Sequence, residues 1–189
     1  MALISHEHRS IFIHCPKTGG TSIGYGLEAV GFVRAWQDEE WRTENWQHQY
    51  DVPPRFDDYE VFTVCRNPFD RFVSLWAYKT QNEEGFPQPD LSFADFRPAE
   101  RLCGLGRYQF MYVQRADVVL DFREIATTDY FYRFGDNWVL PWMNETTHDP
   151  WWTYYDDERA AWVVDYYDHD FDLPQFPSRD WRWYMERAA

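Results

Sequence analysis

Lysine is nearly missing. Of the 18 basic residues in the 189-residue chain only Lys17 and Lys79 are lysines, so the place where a lysine falls is informative. Cysteine is scarce too. Cys15, Cys65 and Cys103 are too few, and odd in number, for a disulfide framework, which makes a reducing cytoplasm the expected setting. No apolar run approaches the roughly 18–20 residues of a membrane helix. Ser5–Ser10 is polar and charged where the apolar stretch of a secretion signal would sit, so no membrane span or leader is expected. Positive charge is short overall: 32 acidic residues against 18 basic ones give a net charge of −14 and a pI near 4.7. A general nucleic-acid binder needs a basic footprint, and that class is excluded. One local anion site is not, because backbone N–H groups with one or two cations work inside an acidic shell.

What is abundant is ring. Aromatics make up 21% of the chain, 11 of them Trp, and the hydrophobic fraction of 44% marks a globular chain with a real core. The length fits a single domain over residues 1–189. Ser10–His14 is a short β-forming apolar run and predicts a buried strand. A turn cluster, Cys15–Gly20, follows. Then Ile23, Leu27 and Val30 recur at helical spacing, with Thr21 or Ser22 as N-cap and Gly31 as the stop. Further strands are expected at Phe32–Trp36, Tyr59–Val64 and Val118–Phe122. Residues 37–58 read as irregular with a short helix. Helices are expected from Asn67-Pro68 to about Thr80, from Ser92 through Leu102, and over Asp156–Tyr167. Strands alternating with helices imply an α/β layer fold, a P-loop-like, mostly parallel sheet flanked by helices. Nothing in the pattern sets an oligomeric state.

A strand feeding a glycine loop that opens a helix is a physical recipe for holding phosphate or sulfate. Successive N–H groups converge on the oxygens, the helix dipole adds positive potential, and Gly19 and Gly20 allow close approach. Lys17 supplies a full charge, and Thr18, Thr21 and Ser22 offer hydroxyls. The nucleoside-triphosphate loop is spaced differently, with lysine after its glycines and a hydroxyl for magnesium. Here lysine comes first, and no strand-end Asp suggests a metal.

The run Phe12-Ile13-His14-Cys15-Pro16-Lys17-Thr18-Gly19-Gly20-Thr21-Ser22 resembles the 5′-phosphosulfate loop of sulfotransferases that use 3′-phosphoadenosine 5′-phosphosulfate (PAPS). The likeness is to their carbohydrate branch, which includes the heparan sulfate 2-O-sulfotransferases. Val64 to Ser74 is similar to that family's 3′-phosphate segment, an Arg66-Asn67-Pro68 turn with Ser74 eight residues past the arginine. Arg66 can fork two donors onto a phosphate, or else pair with a local carboxylate; Ser74 can add a hydroxyl or simply pack. Asp70 and Arg71 read as structural. Weaker likenesses fall at Leu140–Asn144, Tyr155–Glu158 and Tyr167–Phe171.

The resemblance implies in-line sulfuryl transfer from PAPS to a carbohydrate or similar small-molecule hydroxyl, without metal, with Lys17 neutralising the leaving phosphate. A base must take the acceptor proton, and histidine suits neutral pH. In the resembling family a base histidine falls between the two motifs, which points to His48. His6 and His8 are expected in solvent ahead of the first strand, and His14 reads as a core histidine. Trp36, Trp41 and Trp46 lie five apart, which fits neither helix nor strand, so they need not share a face. Two other classes stay open: a nucleotide-binding module without catalysis, and a phosphoryl transferase that would need ATP and magnesium.

Overall fold

A computed structural model describes residues 2–42, 51–81, 90–98, 108–143 and 146–188. The chain forms two compact units, Met1–Cys65 with Met111–Asn144, and Arg66–Phe110 with Glu145–Ala189.

The first unit is built on a five-stranded sheet of order β3-β1-β2-β4-β5. Strands β1 (Ala2–Ser5) and β2 (Ser10–Ile13) form an antiparallel hairpin, and β3 (Val33–Arg34) pairs antiparallel with β1. Strand β4 (Glu60–Cys65) runs parallel to β2 with Phe62 level with Phe12, and β5 (Val118–Asp121) runs parallel to β4. The expected parallel core is therefore β2-β4-β5, and the hairpin makes the sheet mixed. Side chains alternate as a sheet buried on both faces requires. Leu3, Phe12, Phe62 and Val64 face one core with Ile23 and Leu27 of helix α1 (Gly20–Ala29); Ile4, Ile11, Ile13 and Val61 face the other with Trp41 and Phe56. Trp41 lies on the short helix α2 (Glu39–Arg42) and stacks on Phe56 at 5.5 Å. Trp36 is 61% exposed, so Trp36 and Trp41 do not share a face; Trp46 lies outside the described residues.

Gly31 ends α1 as expected. It sits at φ +94° and its N–H bonds the Glu28 carbonyl while Phe32 N–H bonds that of Leu27, the paired closure that a left-handed residue after a helix permits. The start differs from expectation. The cap is Gly19, left-handed at φ +76°, and Thr21 and Ser22 lie inside the helix. Strand β1 was not expected either. With it in place, His6 and His8 occupy a turn between two strands, His6 exposed as expected and His8 half-buried.

In the second unit, Asn67 caps α3 (Pro68–Gln81), its side-chain oxygen accepting the Phe69 N–H at 3.0 Å. Helix α5 (Asp157–Tyr166) is capped by Asp156, and α6 (Trp181–Met185) by Asp180; the short helix α4 (Phe110–Val113) precedes β5 in the chain. The helix expected from Ser92 is a turn over the described residues 92–98. Ser92 Oγ accepts the Asp95 N–H and donates to the Asp95 carboxylate at 2.6 Å, a local bonding pattern that competes with helix. Many of the rings are structural. The Arg159 guanidinium lies 4.8–4.9 Å from the ring centres of Phe72, Phe93 and Trp162 and donates to the Phe96 carbonyl. Burial pushes its pKa down to about 10.

Candidate functional site

The loop between β2 and α1 leaves the carboxyl end of a central parallel strand, the edge at which open α/β sheets place ligands. Its backbone is unusual. Lys17 is left-handed at φ +67°, a costly conformation for a residue with a Cβ, and Gly19 follows at +76°. Thr18 is buried, and its hydroxyl donates to the Cys15 carbonyl at 2.8 Å, closing the turn from within. The cap residue Gly19 offers the first-turn N–H groups of α1 no side-chain acceptor, and no carboxylate lies in that turn. In this acidic chain α5 and α6 each carry an aspartate cap at the same place. The positive potential of the α1 N-terminus is therefore not offset by a carboxylate of its own first turn.

Three elements hold the loop in shape. The His14 imidazole, at the end of β2, fills the space a Cβ at Gly20 would need: that atom would sit 1.9 Å from His14 Cδ2. A Cβ at Gly19 would meet Phe122 and Ile125, beyond β5, at 3.0 and 3.1 Å. Ser22 is buried and its hydroxyl accepts the Met143 N–H at 3.0 Å, while Gly26 lets Trp138 close on the helix. Thus Gly19 and Gly20 make room for protein side chains, a role other than the approach of anion oxygens read from the sequence, and the hydroxyls of Thr18 and Ser22 likewise bond protein. Thr21 is half-buried in the first turn. Burial first, then nearby positive charge including Lys17, lowers the His14 pKa to about 3, so its imidazole is neutral at pH 7.

The Arg66 segment belongs to the second unit. There the guanidinium makes a two-pronged pair with Asp70, Nε and Nη2 each 2.8 Å from a carboxylate oxygen. Of the two partners open to Arg66, the local carboxylate is present, and Asp70 fixes the guanidinium plane. Ser74 is buried in the second turn of α3. Arg71 is wholly buried, 3.7 Å from Asp170 and over the Tyr167 ring, a structural placement.

Two residues to which the sequence reading gave no role complete this segment. Gln109 Oε1 accepts the Arg66 N–H and Gln109 Nε2 donates to the Arg66 carbonyl, both at 2.8 Å. Behind it, Asp170 accepts the Phe110 N–H at 2.9 Å and lies 3.4 Å from Gln109 Nε2. Burial raises the Asp170 pKa from 3.8 to about 6, against the opposing pull of Arg71. A carboxyl with a raised folded pKa favours folding below its unfolded value and loses that contribution as pH rises towards 6. Asp170→Asn is therefore expected to gain on wild type by roughly 2 kcal/mol between pH 4 and pH 7, at about 1.36 kcal/mol per unit of pKa. Urea unfolding at both pH values measures it, and a constant gap contradicts it.

The other described histidines are engaged elsewhere. His6 bridges the Tyr59 hydroxyl and the Asp38 carboxylate, both at 2.8 Å. His8 packs against the rings of Phe32 and Phe134, and His148 contacts the Asp149 carbonyl. His169 sits against Tyr108 and Phe110. His48 lies outside the described residues. A cleft of about 520 Å³ lined by Glu7, His8, Val30, Arg133 and Asp136 sits at the far end of α1 from the loop. Among the described residues no helix is long and apolar enough to cross a membrane, and no cluster of three metal-ligating side chains occurs. Cys15 and Cys65 are both buried.

A mixed sheet with a parallel core, flanked by helices and with a glycine loop and a lysine between β2 and α1, defines the class as α/β. The chain belongs to the sulfotransferase family: the model of that family matches residues 1–95, half of the chain, including both the 15–22 loop and the 64–74 segment. It is a transferase, and its chemistry is sulfuryl transfer. The weaker likenesses at 140–144, 155–158 and 167–171 lie beyond the matched residues. No curated protein and no solved structure matches the chain.

Proposed function

We propose that the protein takes a sulfuryl group from PAPS and passes it by in-line displacement to a hydroxyl of an uncharged carbohydrate or similar small acceptor. The supporting observation is the bare N-terminus of α1, opened by a left-handed glycine and preceded by Lys17. The residues fit the 5′-phosphosulfate end: N–H groups of residues 19–22 take its oxygens, and no carboxylate of that turn opposes it. As the acceptor oxygen bonds to sulfur, the bond from sulfur to the phosphate oxygen breaks, and the electron pair stays on that phosphate. Lys17 offsets the charge gathering there. The acceptor proton passes to a base, for which the family resemblance favours His48. Arg66, held in plane by Asp70, and Ser74 serve the 3′-phosphate, and adenosine 3′,5′-bisphosphate leaves. A net charge of −14 disfavours a long polyanionic acceptor.

Calorimetry without magnesium tests this against a nucleotide kinase. Adenosine 3′,5′-bisphosphate is expected to bind and ADP and ATP to bind at least about tenfold more weakly, a loss of roughly 1.4 kcal/mol. Equal binding, or binding only of ATP with magnesium, contradicts the proposal.

A further inference from the structure

We propose that Gln109, backed by Asp170, is a positioning residue that sets Arg66 for the 3′-phosphate of the nucleotide. The role depends on Arg66 being that phosphate's ligand, as proposed above. Arg66 lies one residue past the end of β4, where the ladder of the sheet has stopped. The Gln109 side-chain amide does there what a neighbouring strand would do, taking the Arg66 N–H and giving an N–H to its carbonyl, each at 2.8 Å. Both main-chain groups of one residue are thereby pinned, which fixes the direction in which its Cβ leaves the chain. The guanidinium at the other end is held by Asp70 at two points. Arg66 is thus clamped at root and tip, and a planar fork so held loses little freedom when it meets a phosphate.

The amide can satisfy these bonds in one orientation only. Its NH₂ group must face the Arg66 carbonyl, and its second proton then points to Asp170 Oδ2 at 3.4 Å. Asp170 Oδ1 is taken by the Phe110 N–H, and Arg71 lies 3.7 Å from Oδ2. Gln109 and Asp170 are fully buried, so water does not stand in for either partner. An asparagine at 170 that kept the Phe110 bond would turn its own NH₂ towards that of Gln109, donor against donor, and loosen the clamp.

The test is calorimetry on the full chain with adenosine 3′,5′-bisphosphate and, as reference, adenosine 5′-monophosphate. Wild type is expected to prefer the bisphosphate and Arg66→Ala to lose that preference. Gln109→Ala should weaken bisphosphate binding about tenfold, the equivalent of one misaligned bond to a charged group, and move monophosphate binding by less than about twofold. A merely structural role would weaken both ligands alike. If wild type shows no preference, or Arg66→Ala keeps it, the 3′-phosphate role of Arg66 falls and that of Gln109 with it. If Arg66→Ala loses the preference but Gln109→Ala keeps it, the positioning role alone is overturned. Should Gln109→Ala fail to fold, Asp170→Asn is expected to lose about threefold in the same preference; an unchanged preference there overturns the proposal equally.

Discussion

Lys17→Ala is expected to slow sulfuryl transfer by about 10²–10³-fold, the scale on which removing one preorganised donor from a developing charge acts. Binding of adenosine 3′,5′-bisphosphate should fall only a fewfold, because the N–H groups of the α1 end remain. The backbone at Lys17 makes the prediction sharper. A non-glycine residue at φ +67° costs roughly 1–2 kcal/mol, so Lys17→Gly should stabilise the fold by about 1 kcal/mol while losing the same activity. Stability and function would then move in opposite directions at one position. Lys17→Arg is not expected to rescue, since a broad planar fork does not replace a compact ammonium. Release of adenosine 3′,5′-bisphosphate from PAPS in the presence of simple glycosides, beside thermal unfolding, checks both halves. A Lys17→Ala protein that transfers at the wild-type rate would remove the lysine from the chemistry.

Gly20→Ala is the second large effect, and helix propensity gets its sign wrong. Alanine in place of glycine in a helix ordinarily gains up to about 1 kcal/mol. Here the added Cβ would fall 1.9 Å from His14 Cδ2 and 2.4 Å from Nε2, so the ring or the loop must move. Overpacking of this kind costs roughly 1–3 kcal/mol. Adenosine 3′,5′-bisphosphate binding should weaken by more than about tenfold as the N–H groups lose their convergence. His14→Ala in the same chain opens the space. The double variant should therefore recover most of the stability, leaving a coupling energy between neighbours of roughly 0.5–3 kcal/mol. A stabilised Gly20→Ala protein with unchanged binding would contradict the described fit of ring against loop.

The parts of the fold legible in sequence are those with local cause. Ile11-Phe12-Ile13 is apolar on both faces because β2 is covered on both, and Asn67-Pro68 and Asp156 cap the helices that follow them. Gly31 stops α1 by a closure that its own neighbours provide. Strand β1 was hidden because Ala2–Ser5 is four residues long and draws its partners from Ser10–Ile13 and Val33–Arg34. The helix cap was misplaced by two to three residues because a left-handed glycine leaves no side-chain signature of capping. At the site, the strand, glycines and lysine were readable as a run. The supports were not: Met143 lies 121 residues from Ser22, and Gln109 lies 43 from Arg66. Phe122 and Ile125 reach Gly19 only once β5 is in the sheet. Asp170 falls in a segment that looked familiar, yet only burial gives its carboxyl a raised pKa and only the fold sets it behind Gln109.

The most direct measurement is a crystal structure of the protein grown with adenosine 3′,5′-bisphosphate. The 5′-phosphate should lie within hydrogen-bond distance of main-chain N–H groups among residues 19–22, with the Lys17 ammonium on its oxygens. A nucleotide bound elsewhere, with Lys17 turned from it and the α1 end in contact with solvent, would contradict the account.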